Sequence, residues 1–415
     1  MKCLVIIFFF SVCTYAESAE MSFDDAFKKM LGRNTDIPSA NATLDAASIT
    51  NISSKMLFLP TIILEKSKTQ YYQNELKRDG LTLTSTLNLF HFGADVFKAT
   101  AAGHNEHAYS WNTKLVELNT EYDVAQILLD YISKGLSLNA FKEYAKVKRQ
   151  AFKVAQLRTQ RGLLSIQESQ KAEVDLNNAE SQLQNNELSF IAAKSRLASA
   201  LGSSEVKIDW PWLNFIEMEK HSAIVSSKFN VEKSPQYKKS QSELEVATNN
   251  LKSAKSSILP SLDVSYSYSS VDEVGNKFHE QVGFIKLSMS IFNGLTDYAH
   301  IAEQRALAIV SQNNLEKTIR DLTAIWDERS SDLIISSKNA IKSQHVLRLA
   351  RKLYDDSFKR FEQGRSSVND LLLDQSRLLD SETLAINSWY NAHLALIGVC
   401  SLKGLSIFEC LHNLY

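Results

Sequence analysis

The chain has 415 residues, enough for two or three ordinary domains, and a hydrophobic content of 44% supports a substantial core. Lys and Arg number 46 against 47 Asp and Glu, so no bulk charge points to nucleic acid or to anionic lipid. Glycine (13) and proline (5) are scarce, and 61–210 and 261–415 hold no proline at all, which argues for very long helices over an enzyme with many catalytic loops.

Lys2 opens a short positive segment, and Leu4 to Val12 form an apolar run too short to span a bilayer. Thr14-Tyr15-Ala16 follows with small residues at the −3 and −1 positions of a cleavage site, so residues 1–16 read as an export signal. Cys3 and Cys13 lie in that signal. Phe10-Ser11-Val12 lacks the Leu and the small residue that a lipidated Cys13 would want. Cys400 and Cys410 remain, and a disulfide between them stays open, since sequence gives no geometry. Beyond the signal no apolar run approaches ~18 residues, so a membrane crossing would have to be a closed barrel.

The chain repeats itself. Lys55-Met56-Leu57-Phe58-Leu59-Pro60 is matched by Lys255-Ser256-Ser257-Ile258-Leu259-Pro260 at an offset of 200. Gly93-Ala94-Asp95 has a looser echo in Gly294-Leu295-Thr296-Asp297. Gly162-Leu163-Leu164-Ser165-Ile166-Gln167-Glu168 matches Gly364-Arg365-Ser366-Ser367-Val368-Asn369-Asp370 at 202, as does Leu201-Gly202 with Lys403-Gly404. Four anchors in one order at near-constant offset mark a duplication. The expected organisation is a signal at 1–16, a first repeat at 17–202, a linker at 203–233 and a second repeat at 234–415.

After each Leu-Pro the period is two. Leu262 to Tyr268 alternate apolar and polar, as do Leu81 to Leu89 and Ile285 to Ile291. These runs approach the ~9–11 residues that a tilted strand needs to cross a membrane. The polar stretches 73–80 and 270–281 are expected as loops, with Gly80 and Gly275 as turn residues. Two hairpins result, and four strands cannot close a barrel alone.

Behind each second strand the period becomes 3.5. Leu115, Leu118, Tyr122, Ala125, Leu129 and Ile132 form a coiled-coil seam, renewed at Tyr144, Val147, Ala151 and Val154. The helix implied runs from about 95 to 160, approaching ~100 Å in length. Leu176, Ala179, Leu183, Phe190 and Leu197 continue the rhythm on the return limb. At the junctions Gly162 and Gly364 suit left-handed helix ends, while Ser165 with Glu168 and Ser367 with Asp370 make capping boxes.

These features together resemble the TolC-type outer-membrane efflux protein family. The most specific stretch is Phe361-Glu362-Gln363-Gly364-Arg365-Ser366-Ser367-Val368-Asn369-Asp370-Leu371-Leu372-Leu373, similar to the family's aromatic-x-x-Gly-x-x-Ser-x-x-Asp-x-Leu pattern. The resemblance implies a mainly α chain with transmembrane β structure. Three copies would close a twelve-stranded outer-membrane β-barrel, four strands per chain, continued by a long coiled-coil α-helical periplasmic tunnel. It also implies a homotrimer that meets a periplasmic adaptor protein and an inner-membrane transporter, sits in outer-membrane lipid, needs no cofactor, and passes cargo without chemical change. Two departures stand out. The family's early Asn-Pro is Asn34-Thr35 here, and a second gate acid would fall at Leu373, where the chain has Asp374 one position later.

Asp370 and Asp374 are therefore the candidate gate residues, four apart on one helix face, against a reading of Asp370 as a cap and Asp374 as a surface acid. Gly162, Leu163, Ser165, Glu168, Gly364, Arg365 and Ser367 form the candidate tips, open to an adaptor or to plain hairpin packing. His104 and His107 share a face, but two ligands without a third do not make a metal site. No Ser/His/Asp or Cys/His arrangement, phosphate loop or zinc motif is present. The rival function is an exported coiled-coil scaffold without a pore.

Overall fold

The computed structural model describes residues 20–71, 76–203, 207–209, 229–273, 276–363, 365 and 367–412. The export signal, Gly275, Gly364 and most of the segment between the halves, Trp210-Pro211-Trp212 included, lie outside the described residues.

The first half runs β1 (Glu20–Ser22), α1 (Phe23–Arg33), α2 (Asp36–Lys55), β2 (Thr61–Tyr71), β3 (Leu76–Phe90), α3 (Ala94–Gln160) and α4 (Ile166–Leu201). A short strand, β4 (Lys207–Asp209), then pairs in parallel with β1. The second half runs α5 (Pro235–Ser256), β5 (Ser261–Glu273), β6 (Asn276–Ser288), α6 (Thr296–Glu362), α7 (Val368–Leu402) and α8 (Ile407–His412). The long helices α3 and α6 are each 67 residues. Their bounds differ by the repeat offset at both ends. No described helix is long and apolar enough to cross a membrane.

Local chemistry explains the starts and stops. Ser22 Oγ accepts the Asp25 N–H at 3.1 Å to cap α1. Asn34, standing where the resemblance expects Asn-Pro, accepts from the Asp36 N–H at 2.6 Å ahead of α2, whose first turn holds Pro38. Each strand-to-helix corner uses two successive left-handed residues, Phe92 and Gly93 in the first half, Gly294 and Leu295 in the second. Gly202 closes α4 at φ +64°, with the Arg33 guanidinium packed where a Cβ would stand.

The four long strands form one antiparallel sheet in the order β2-β3-β5-β6, so the two hairpins meet along β3 and β5. Two expectations are corrected here. The stretches 73–80 and 270–281 are mostly strand, and Gly80 is no turn residue: it pairs with Ser67 on one side and Val271 on the other. β5 reaches Glu273, which pairs directly with Asn276. Polar side chains suggested loops, but ladder hydrogen bonds are made by the backbone and persist where a hairpin stands in water. The alternating run to Ile291 is also cut short, since β6 ends at Ser288.

The helices repeat the order of the strands. α3 packs on α2 and α4 along one side and on α5 and α7 along the other, and α6 packs on α5 and α7. The seam read from the sequence is buried at Leu118, Ala125, Leu129, Ile132 and Ala151. A second seam of Val124, Leu128, Leu138 and Ala145 serves the other neighbour. The central core gathers Phe27, Leu128, Leu197, Leu201 and Trp389, all at or near zero exposure. Cys400 and Cys410 are joined in a disulfide that ties α8 to the end of α7. Glu121 accepts the Ile407 N–H at 2.9 Å beside it, and burial raises the Glu121 pKa above its ordinary value.

Leu128→Ala should cost about 2–5 kcal/mol and lower the thermal midpoint of the detergent-extracted protein, whereas Leu163→Ala at an exposed tip should leave it unchanged. His393 supplies a pH test. Burial pushes its imidazole below the ordinary 6.5, opposed by a hydrogen bond to the Trp389 carbonyl at 2.9 Å. Below pH 6.5 the unfolded chain binds a proton that the native state does not, so stability drops as the pH falls through that window. His393→Phe should flatten that acid-side loss in a melting series.

Candidate functional site

Register assigns each strand residue to a face. One row across the sheet joins Leu64, Leu83, Tyr268 and Gln281, and the row two residues below joins Ile62, Ser85, Tyr266 and Gly283. With Leu81, Leu87, Val264, Ile285 and Leu287 these give one face an apolar band. It is bare in the single chain: Leu64 is 67% and Ile285 72% exposed. Neither face of the sheet is covered by the described helices.

The opposite face is lined with hydroxyls. Thr82 meets Ser269 at 3.1 Å and Thr86 meets Ser265 at 3.0 Å across the β3–β5 pair. These cross-strand bonds stitch the two halves of the repeat together on that face. β6 departs from the pattern, because Phe278, Val282 and Phe284 share the hydroxyl face opposite Val271, Ser267 and Ser265. Alternation in the sequence had been clear on β3 and β5; on β2, Thr61-Ile62-Ile63-Leu64 carries apolar residues on both faces and gave little signal.

At the far end of the helices the two hairpin tips share one geometry. The Leu163 N–H reaches the Arg158 carbonyl at 2.8 Å around Gly162, whose φ is +70°. The Arg365 N–H reaches the Arg360 carbonyl at the same 2.8 Å. Both capping boxes form: Ser165 Oγ accepts the Glu168 N–H at 3.2 Å, and Ser367 Oγ accepts the Asp370 N–H at 3.1 Å. Gly364, the counterpart of Gly162, lies outside the described residues. Leu163 is exposed at 71%, while Leu164 turns partly inward.

The two candidate gate acids have different surroundings. Asp370 is exposed and its Oδ2 accepts from the Ser367 N–H at 3.3 Å and hydroxyl at 2.7 Å. Asp374 is turned into the hairpin, bonded to the Ser357 hydroxyl on α6 and to Arg377 Nη1 at 3.0 Å. Leu373 between them is half exposed. One turn of helix thus separates a tip carboxylate from a bracing one.

Sequence reading missed a duplicated clamp. Arg149 on α3 meets Glu180 on α4 at 2.6 Å, and at the repeat-equivalent positions Arg351 on α6 meets Glu382 on α7 at 2.9 Å. The signal was available, since both residues recur at the 202 offset used for the tips. Beside the first clamp, Lys148 is 5% exposed and pairs with Asp175 at 3.2 Å. Nearer the sheet, the His104 and His107 rings stand 6.4 Å apart, and the described residues contain no group of three or more side chains that could hold a metal ion.

An open four-stranded antiparallel sheet with a bare apolar face, prolonged by long helical hairpins, defines the fold of the outer-membrane channels. VceC of Vibrio cholerae, an outer membrane protein, superposes with a TM-score of 0.76 at 12% identity, covering 92% of this chain and 96% of that one. The CmeC outer membrane channel of Campylobacter jejuni gives 0.76 at 15% identity, covering 94% and 88%. The open state of the MtrE outer membrane channel of Neisseria gonorrhoeae gives 0.76 at 15%, covering 92% and 88%. No protein-family model and no curated relative matches the chain by sequence.

The tip geometry makes a stability prediction. Ser367→Ala removes the hydroxyl half of a capping box and should cost about 1 kcal/mol locally. Limited proteolysis should then nick the second tip sooner, with the first tip, still capped by Ser165, unchanged.

Proposed function

We propose that the chain is the outer-membrane channel-tunnel of a tripartite efflux or type I secretion system. It conducts substrates passively from the periplasm and an inner-membrane pump to the exterior, without chemistry of its own. The observation that carries the proposal is the sheet: a bare apolar face at membrane-crossing length and two unpaired edges, β2 and β6. Backbone groups on an open edge cannot be left in lipid, so further copies must pair with them.

The number of copies follows from width. Two chains would give eight strands, whose interior side chains fill. Three give twelve, wide enough to leave a hydroxyl-lined lumen, and hence a homotrimer. The helices support the same closure. Their outer members, α4 and α6, carry exposed apolar residues such as Leu188 and Ile191 on one side and Leu349 and Leu353 on the other. Neighbouring copies would cover these and complete a periplasmic tunnel. Phe90, Phe92, Phe292 and Tyr298, all exposed at the strand-to-helix corners, suit the aromatic girdle of a membrane boundary. In this reading 17–202 and 234–415 act as two quasi-equivalent repeats, and 203–233 links them at the tunnel's equator.

The tips then point away from the outer membrane. Leu163 and Arg365, with the capped turns Ser165–Glu168 and Ser367–Asp370, are the surfaces offered to a periplasmic adaptor. Asp370 supplies the aperture's charge, three carboxylates in the trimer, and Asp374 braces the hairpin behind it.

The test is conductance in a planar bilayer, with the mass of the detergent-extracted species measured beforehand. Small cation-selective steps from a three-chain species are expected; a soluble monomer or dimer without conductance would replace the channel by a scaffold. Asp370→Ala should enlarge the single-channel steps and relieve block by multivalent cations, and Asp374→Asn should leave the block intact. A photocrosslinker at Leu163 should capture the adaptor. Capture from mid-helix positions alone would remove the tip from the interface.

A further inference from the structure

The hairpin ends of the sheet sort their charges by face, and the sorting has no role in conduction as described so far. Beyond the last apolar row, Leu64-Leu83-Tyr268-Gln281, the same outward face continues with Lys66, Leu81, Ser270 and His279, then with Lys68, Asp79, Asp272 and Lys277. The inward face at that level carries Glu65, Arg78, Glu273 and Glu280. Basic groups dominate outside, acidic ones inside. Net charge over the whole chain is only −1, so this is a local arrangement.

Lys66 and His279 stand one pleat repeat, about 7 Å along the strand, beyond the last apolar row, and Lys68 and Lys277 stand two, about 14 Å. Lys66 and Lys277 form no ion pair among the described residues, and Lys68 makes only a long contact of 3.8 Å to Asp79 with its side chain 80% exposed. His279 stacks on Tyr268 with 5.8 Å between ring centroids, and its Nδ1 lies 3.1 Å from the Tyr268 hydroxyl. An aromatic pair at the upper border of the band, with long cationic stems above it, matches the depth at which lipid headgroups begin.

We propose that Lys66, Lys68, Lys277 and His279 form an outward crown that holds the phosphate groups of membrane lipids in the leaflet surrounding the hairpin ends. The inference rests on the channel reading, which puts this face toward lipid. The committed occupant is a phosphomonoester-bearing lipid headgroup: compact, doubly charged and anchored by acyl chains that lie on the apolar band directly below. Free phosphate lacks that anchor. The bases sit on β2 and β6, the two edge strands, whereas the acids of the same face, Asp79 and Asp272, sit on the central strands. Wherever copies join, the joint is therefore flanked by cations, and bound lipid phosphate offsets their repulsion.

The experiment uses the full chain, extracted in mild detergent and titrated with phosphatidic acid or phosphatidylcholine, with lipid retention read by native mass spectrometry. Wild type should retain phosphatidic acid in preference to phosphatidylcholine. Each Lys→Gln change at positions 66, 68 and 277 should weaken that preference about fivefold, and the triple variant should abolish it. Arg78→Gln, on the inward face at the same height, should leave it unchanged. Each preparation is also assayed for conductance in phosphatidylcholine bilayers, which certifies that the variants assemble. A conducting wild type that retains both lipids equally, or a conducting triple variant that keeps the preference, would overturn the crown. Displacement of phosphatidic acid by equimolar inorganic phosphate would overturn the lipid as occupant. A wild type that never conducts would instead overturn the channel reading beneath it.

Discussion

A strand at the edge of a sheet exposes a row of N–H and C=O groups, and hydrocarbon offers them no partner. On the channel reading, the sheet of this chain answers to that constraint. The sheet has four strands, too few to close, and its outward face is apolar over the length of a membrane crossing. Among the described residues no strand pairs with the outer edge of β2 or β6. On the channel reading the single chain is a sector of an assembly, and its exposed leucines and isoleucines lie on surfaces that lipid or another copy would meet.

Duplication makes the sector regular. Because each half supplies a hairpin and a pair of long helices in the same succession, the sheet and the helical layer inherit one order and carry their open edges at the same ends. The Thr82–Ser269 and Thr86–Ser265 bonds join the halves in the sheet, and α3, packed on both of its sides, joins them below. The same duplication repeats small devices far from the sheet: the Arg149–Glu180 and Arg351–Glu382 clamps and the two capping boxes. Exposed ion pairs of this kind contribute little individually, about 0.2–1 kcal/mol. Their use is positional, holding each hairpin's limbs in register near its tip.

Symmetry between the halves is broken where the tips carry charge. Glu168 and Asp370 occupy equivalent caps, but only the second is followed by an acid, Asp374, that reaches across to Ser357. Its repeat counterpart is Ala172, and the counterpart of Ser357 is Ala155, so the first hairpin carries methyl groups at the positions where the second has a polar brace.

Sequence by itself determined the duplication, the helix from about 95 to 160, the tip turns and the alternation of the central strands. Each of these is written in local spacing, where a period of 2 or 3.5 and a Gly–Ser–acid turn have one structural meaning. It could not mark where polar strands end, so Gly80 read as a turn; backbone pairing is indifferent to side-chain polarity once a neighbouring strand is in place. Nor could it show the second seam on α3, because small residues such as Ala145 carry no signal until a neighbouring helix is seen against them. Tertiary structure alone decided the strand order, the pairing of Cys400 with Cys410, and the meeting of Asp374 with Ser357. Those depend on which distant segments meet, and contact between residues far apart in the chain is a property of packing, not of local pattern.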